Sequence, residues 1–307
     1  MTAARTLRIR AHAKINLSLR VGAVQADGYH PLQTVFQSLA LHDTLEVTPR
    51  QGPFTLTCSD PGVPVDGRNL VTRAARALWT ALGRAGEPRG VAVHLAKQIP
   101  VQAGLGGGSS DAASALSALA RVWRPRGTRP DLAALAARLG SDVPYFFVGG
   151  TALGLSRGED LYPLEDLPGF AVVLALPAFG VATADAYRWF DEDGSQPAAG
   201  LRGGRSAIPA WRGRPLALVN DLEAPVTRRH PAIGEARRAL EASGAAAAAM
   251  TGSGSAVFGL FTKEPAARRA ARAVAEAGFV ALLTRTVDRR TCQRVHFSFA
   301  SSSPRHA

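Results

Sequence analysis

Residues 100–112 read Pro-Val-Gln-Ala-Gly-Leu-Gly-Gly-Gly-Ser-Ser-Asp-Ala, and no other stretch constrains the chain as tightly. Gly104, Gly106, Gly107 and Gly108 precede two hydroxyls, Ser109 and Ser110, and then an alanine-rich run. Glycine has no Cβ, so a loop built from it reaches φ > 0 and lets backbone N–H groups approach a ligand. The alanine-rich run predicts a helix over residues 110–122. A helix N-terminus with unpaired N–H groups attracts anions. Two readings stand side by side: a phosphate cradle, or a tight strand-to-helix turn whose glycines serve packing. A Walker A loop needs Lys where Ser109 stands, and the spacing of these glycines does not give the Gly-x-Gly-x-x-Gly of a dinucleotide loop. A nucleotide held here needs a third architecture, with its neutralising lysine drawn from elsewhere.

Lysines are scarce: of 36 Lys and Arg residues only Lys14, Lys97 and Lys263 are lysine, so each is informative. The net charge of +12 suggests nucleic acid at first sight. The arginines are scattered over helical stretches without interleaved aromatics. That fits a base-composition bias and an electropositive surface for phosphorylated small molecules, and no nucleic-acid partner is expected. The chain of 307 residues, 46% of them hydrophobic, is long enough for one large or two medium globular domains. No apolar run has the length of a membrane span and the first ten residues lack a signal-peptide core, so a cytoplasmic protein without a membrane partner is expected. Cys58 and Cys292 each sit in a strand-like stretch and read as reduced, buried thiols.

Alternation over residues 7–21 predicts one long strand or two short ones, and places Lys14 and Asn16 on one face. That face reads equally as a polar pocket or as an exposed sheet surface. Residues 32–39 and 43–48 read as two strands joined by a turn, and 54–58 as another. Residues 69–82 form an amphipathic helix capped by Asn69. The strand 91–97 leads into the glycine loop. A Pro/Arg-rich connection (123–129) precedes a helix at 132–139 ended by Gly140. Asp142 follows, flanked by Gly140 and Pro144. It reads as a turn aspartate or as a general base. Residues 145–148 read as an apolar strand, and 149–156 as a turn and strand. Composition shifts at 163–168, where a domain boundary is placed. Strands are expected at 170–176, 256–261, 279–286 and 295–299. Helices are expected after Thr183 as N-cap, over 220–242 with breaks near Pro225 and Pro231, and over 264–276. Residues 191–215 read as a long loop. Residues 251–255, Thr-Gly-Ser-Gly-Ser, form a second Gly/Ser loop.

A phosphate cradle, a lysine, an aspartate and serine hydroxyls make a minimal phosphoryl-transfer site. Ser109 or Ser110 could ligate Mg²⁺, and Asp142 could take the proton of an attacking hydroxyl. Lys14 beside Asp142 would hold it ionised. Tyr29 and His30 could stack on and hydrogen-bond a planar base. No His/Cys cluster has zinc spacing.

The motifs resemble those of the GHMP kinase superfamily, which includes galactokinase, homoserine kinase and mevalonate kinase. In order they are Ala13-Lys14-Ile15-Asn16-Leu17, Asp27-Gly28-Tyr29-His30, the triple glycine with two serines, Leu139-Gly140-Ser141-Asp142-Val143-Pro144 and Thr251-Gly252-Ser253-Gly254. More narrowly they are similar to the branch acting on a cytidine-diphosphate sugar alcohol in the non-mevalonate isoprenoid pathway. The resemblance implies an α+β fold with an ATP-binding domain over residues 1–162 and a second domain over 163–300. The cleft is then expected between them; the terminal residues 301–307 by themselves read as a disordered tail. The resemblance implies ATP and Mg²⁺, and phosphorylation of the 2-hydroxyl of 4-CDP-2-C-methyl-D-erythritol. Asp142 is then the base, Lys14 its electrostatic partner, and Asn16 a substrate-positioning residue. Asn69, Leu70, Lys97 and the loop from Gly104 through Leu105, Gly106, Gly107 and Gly108 to Ser109 and Ser110 fall on the ATP side. Ser109 and Ser110 are the implied metal ligands. Tyr29, His30, Thr183, Tyr187, Gly252 and Ser253 fall on the substrate side, with Tyr187 standing where Phe is frequent. A monomer or weak homodimer is expected. The alternative is another small-molecule kinase of the superfamily, for homoserine or mevalonate, whose acceptor offers Tyr29 and His30 no base.

Overall fold

The computed structural model describes residues 6–123, 130–167, 169–194 and 218–293. The chain starts with two long antiparallel strands, β1 (Leu7–Val21) and β2 (Leu32–Pro53). β1 is a single strand, settling the choice left open by its pattern. β2 is likewise continuous, where the sequence predicts two strands and a turn. Beside the expected turn stands Asp43, the first residue of the second expected strand. It is fully buried, and its carboxylate accepts the backbone N–H groups of Gln98 and Ile99 (2.5 and 2.8 Å). β3 (Thr55–Cys58), α1 (Leu70–Ala81) and β4 (Arg89–Ala96) follow. Asn69 caps α1 by accepting the Val71 N–H at 2.8 Å.

The alanine-rich helix, α2, spans Gly107–Trp123 and so begins three residues earlier than its alanines suggest. α3 (Leu132–Leu139) has Asp131 as its N-cap. Tyr145–Val148 is a short helix, α4, and not a strand. A four-residue apolar run carries no periodicity to decide between the two. Tertiary contacts decide it: the buried Tyr145 hydroxyl donates to the Gly150 carbonyl at 2.7 Å and lies 2.7 Å from the Ser38 hydroxyl. β5 (Thr151–Leu155) and β6 (Asp160–Pro163) form a hairpin.

β7 (Ala171–Leu176) opens the second sheet. α5 (Thr183–Glu192) has Ala182 as its N-cap, so Thr183 is its first helical residue and not the cap. β8 (Val219–Asn220) precedes α6 (Glu223–Arg229) and α7 (Ala232–Ala242). Pro225 sits in the first turn of α6 and does not break it, because a helix start has no N–H bond there to lose. β9 (Ala247–Met250), β10 (Val257–Phe261), α8 (Glu264–Glu276), β11 (Val280–Arg285) and α9 (Arg289–Gln293) complete the order. Cys292 lies on α9 rather than in a strand, and both cysteines are free and half-buried. Residues 124–129, 195–217, the strand expected at 295–299 and the tail at 301–307 fall outside the described residues.

The first sheet has the order β3-β4-β2-β1-β8, with the β5–β6 hairpin paired to the start of β2. The second has the order β11-β7-β10-β9. α1, α2 and α3 cover the first sheet, burying Leu78, Leu116 and Ala136 against Ile9, Leu45 and Val93. A second cluster lies under α5 to α8, and includes Phe190, Val226, Leu240 and Val274. The third joins the two sheets: Ala13, Ile15 and Leu17 of β1 pack with Val172, Leu174, Phe258 and Leu260. β8 crosses back to pair in parallel with β1 at Ser18 and Leu19. No helix among the described residues is long and apolar enough to cross a membrane.

From Ala11 to Leu19 β1 is buried on both faces, so the polar face it carries there is a pocket wall. Two register shifts, between His12 and Lys14 and between Asn16 and Ser18, bracket the Lys14–Asn16 pair. Bulges bend a strand and re-aim its side chains. His12, just before them, donates from Nδ1 to the Leu39 carbonyl at 2.8 Å. Burial pushes its pKa down to about 4. In the unfolded chain His12 binds a proton below its ordinary 6.5, while the folded form resists it down to about 4. Folding stability should therefore fall as pH drops through that window, by about 1.4 kcal/mol per pH unit at most from this group. Denaturation of wild type and His12→Phe at pH 7 and pH 4.5 should show a smaller acid loss in the variant. Equal losses would reject this account.

Candidate active site

Two loops clasp each other at the junction of the sheets. The glycine loop leaves β4 and enters α2. Gly104 and Gly106 have φ of +73° and +69°. A Cβ at Gly104 would lie 2.1 Å from the Thr251 carbonyl oxygen, and one at Gly106 would strike Phe146 and the Lys14 stem at 2.9 and 3.0 Å. These two glycines are demanded by packing as well as by conformation. Gly108 differs: a Cβ there meets only Leu70, at 3.8 Å, so the free space of the loop lies at its helix end.

The second loop, 251–255, is the other jaw. The Thr251 hydroxyl accepts the Asn16 N–H at 3.1 Å and lies 3.3 Å from the Gly104 carbonyl. Asn220 at the end of β8 donates from Nδ2 to the carbonyls of Met250 and Gly252 (2.8 and 2.9 Å). Thr183 and Ser253 share a hydroxyl contact of 3.1 Å.

Between the jaws lies a cleft of about 610 Å³. Lys14 is buried on β1. Its Nζ donates to Asn16 Oδ1 at 2.7 Å and stands 3.4 Å from Asp142 Oδ2. Asn16 in turn donates to the Thr34 hydroxyl at 2.8 Å. Asp142 sits in the turn between α3 and α4 with its side chain 36% exposed, facing the cleft. Tyr187 of α5 closes the other side. Burial and, second to it, the Asp142 carboxylate push its phenol well above the ordinary value.

Leu70, Lys97, the loop from Gly104 to Ser109, Thr183, Gly252 and Ser253 all line the cleft. Four expected residues are not part of that lining. Asn69 is occupied in capping α1 and in donating to the Pro64 carbonyl at 2.7 Å. Ser110 is buried and its N–H donates to the Gly106 carbonyl. His30 contacts the Gly22 carbonyl through Nδ1 at 2.9 Å and stacks on Tyr187 at 5.4 Å. Tyr29 is exposed, with the Arg157 guanidinium over its ring.

Lys97 is not a free cation. It is buried between Asp43 and Asp111, and both carboxylates raise its pKa against the effect of burial. Burial pushes Asp111 up to about 7, opposed by Lys97 and helped by Asp43. Its Oδ1 has no hydrogen-bond partner among the described residues. Sequence reasoning missed Asp43, Asp111, Thr34, Thr251, Asn220 and Arg157 as site or supporting residues. Asp111 and Thr251 lay inside quoted motifs. The others carry no local signal, because their roles depend on partners at least 16 residues away.

Magnesium keeps much of its water and takes one or two carboxylates together with phosphate oxygens. Ser109 faces the cleft, Ser110 does not, and Asp142 is the carboxylate lining it. No group of three His, Cys, Asp or Glu side chains among the described residues could cage a metal. The donor set fits an ion carried mainly on nucleotide phosphates.

Comparison with known proteins agrees with this geometry. The family model "GHMP kinases N terminal domain" matches residues 69–150, and "GHMP kinases C terminal" matches residues 207–280. Fold and cleft together are those of a GHMP kinase, a class that uses ATP. The 4-diphosphocytidyl-2-C-methyl-D-erythritol kinase of Anaeromyxobacter dehalogenans (strain 2CP-C) is 46% identical, over 91% of this chain and 90% of its own. That of Deinococcus radiodurans is 43% identical, over 87% and 88%. A crystal structure of a 4-(cytidine 5'-diphospho)-2C-methyl-D-erythritol kinase superposes with TM-score 0.76 at 38% identity, covering 91% of this chain and 98% of the other. Homoserine kinase from Cytophaga hutchinsonii, at 18% identity and TM-score 0.65, shares the fold. The chain belongs to the 4-diphosphocytidyl-2-C-methyl-D-erythritol kinase family.

The two ends of the glycine loop should respond differently to substitution. Gly104→Ala should lower unfolding stability by about 3 kcal/mol through forced backbone contact and left-handed φ. Gly108→Ala should change stability by no more than about 0.5 kcal/mol. If the open end of the loop holds phosphate, Gly108→Ala should nevertheless raise KM for ATP. Chemical denaturation and steady-state kinetics of both variants provide the check.

Proposed function

We propose that the protein transfers the γ-phosphoryl group of ATP to the 2-hydroxyl of 4-CDP-2-C-methyl-D-erythritol, with Asp142 as general base. The observation carrying the proposal is the Lys14–Asp142 pair, 3.4 Å apart, at the floor of a cleft bounded by the glycine loop. The family relationship supports the donor and the acceptor.

In this reading the Asp142 carboxylate accepts the proton of the 2-hydroxyl. The freed oxygen bonds to the γ-phosphorus as the bond to the β–γ bridging oxygen breaks, and ADP leaves. Lys14 favours the ionised carboxylate and supplies positive charge to the transferring group. Asn16, held by Thr34 and Lys14, orients the acceptor hydroxyl. The free N–H groups of the α2 N-terminus face the phosphates. Mg²⁺, when bound, would offset the charge of the nucleotide phosphates, and Ser109, which lines the cleft, would offer it a hydroxyl. On the acceptor side, the stacked His30–Tyr187 pair and Tyr29 offer aromatic surface to cytosine.

ADP release with ATP, Mg²⁺ and 4-CDP-2-C-methyl-D-erythritol should far exceed that with mevalonate, homoserine or galactose. No turnover of the cytidine substrate would defeat the proposal. Asp142→Asn should lower kcat by at least about 10²-fold while ATP still binds. An unchanged kcat would remove Asp142 from the mechanism.

A further inference from the structure

Under the reading above, two polyanions share one cleft: the nucleotide triphosphate and the acceptor's diphosphate. Among the described residues three basic side chains line it, Lys14, Lys97 and Arg157. Lys14 is 4% exposed and committed to Asn16 and Asp142. Lys97 is 6% exposed and enclosed by Asp43 and Asp111. Of the three, the Arg157 side chain, 44% exposed, is the one open to an anion arriving from water.

Arg157 is built into position. It stands at the tip of the β5–β6 hairpin, after Ser156, whose φ of +62° is left-handed. The Leu32 N–H pins this tip by donating to the Ser156 carbonyl at 2.6 Å. Two residues along β2 from Leu32 is Thr34, the partner of Asn16. Arg157 therefore lies on the acceptor's side of the cleft. Its guanidinium lies 3.8 Å from the Tyr29 ring centroid, and it donates to Asp27 Oδ2 at 2.6 Å. The other Asp27 oxygen accepts the Tyr29 N–H at 3.0 Å. Asp27 is itself half-exposed, so its ion pair with Arg157 is weak in water and exchangeable for a better anion. A guanidinium matches two phosphate oxygens at once.

We propose that Arg157 is a specificity-determining residue that binds the diphosphate of the acceptor, presented by Tyr29 and Asp27. The proposal rests on the reading of the acceptor as a cytidine diphosphate. Arg157 stacked on Tyr29 then joins base recognition to diphosphate recognition at one corner of the cleft. Acceptors without a diphosphate gain nothing from it.

Arg157→Met keeps the aliphatic stem and removes the charge. Its surface position makes folding of the variant safe, and thermal melting verifies it. The expected result is a rise of about tenfold or more in KM for the acceptor, and in Ki for CDP competing with it. Ki for cytidine and KM for ATP should stay within about twofold, and Arg157→Lys should recover part of the loss. Equal weakening of CDP and cytidine would mean that Arg157 only supports Tyr29, and would overturn the proposal. So would unchanged constants, or an equal rise in KM for ATP. A wild-type enzyme that does not turn over 4-CDP-2-C-methyl-D-erythritol would remove the reading beneath it as well. Turnover by wild type with an unaffected Arg157→Met removes the proposal alone.

Discussion

The contact on which the site depends is the clasp of Thr251 over Gly104 and Asn16. The Thr251 hydroxyl sits among the Asn16 N–H, the Asn16 side-chain oxygen and the Gly104 carbonyl. The three residues belong to three segments: Thr251 to the second Gly/Ser loop, Asn16 to β1 and Gly104 to the glycine loop. Thr251 and Asn16 are buried, so each lost partner there would leave a desolvated polar atom. The clasp therefore holds the loops at one separation, and the Lys14–Asp142 pair inherits its position from them. Gly104 must lack a side chain because the Thr251 carbonyl occupies that space.

The charges around the cleft follow a gradient of commitment. Lys14 and Lys97 are buried and neutralised by carboxylates on neighbouring elements. Such groups are rigid, because releasing them would uncover a charge in a medium that solvates it poorly. Arg157 and Asp27 are paired in water, where exchange of partners is easy. A kinase needs both kinds of cation. The transferring group requires fixed charge, since reorganisation during transfer raises the barrier. The acceptor must arrive and depart, and a cation at the rim suits that exchange.

Much of the fold was legible along the chain. The helices at 132–139 and 264–276 have their expected bounds, and Asn69 caps as its type and place predict. The strands β1, β7 and β10 fall where alternation or apolar runs put them, within a residue. The misreadings share a cause. A turn was expected just before Asp43, whose partners, the N–H groups of Gln98 and Ile99, lie far along the chain. Tyr145–Val148 looked like a strand because its helical form is settled by Ser38 and Gly150. Thr183 looked like a cap, but its hydroxyl pairs with Ser253 instead.

By itself the sequence determined which residue types meet: a lysine and an asparagine two apart on a strand, a flexible loop entering a helix, and an aspartate in a turn between Gly140 and Pro144. Those are local facts, set by periodicity and by the conformations glycine and proline allow. Only the tertiary structure decided that Lys14 belongs to Asp142 while Lys97 belongs to Asp43 and Asp111. It also decided that Gly104 serves packing while Gly108 faces open space, and that Arg157 lies in the cleft. The physical reason is that charge pairing and steric exclusion act through space at a few ångströms. Contacts between residues more than a hundred positions apart, such as Lys14 with Asp142 and Asp27 with Arg157, leave no mark on the spacing of either.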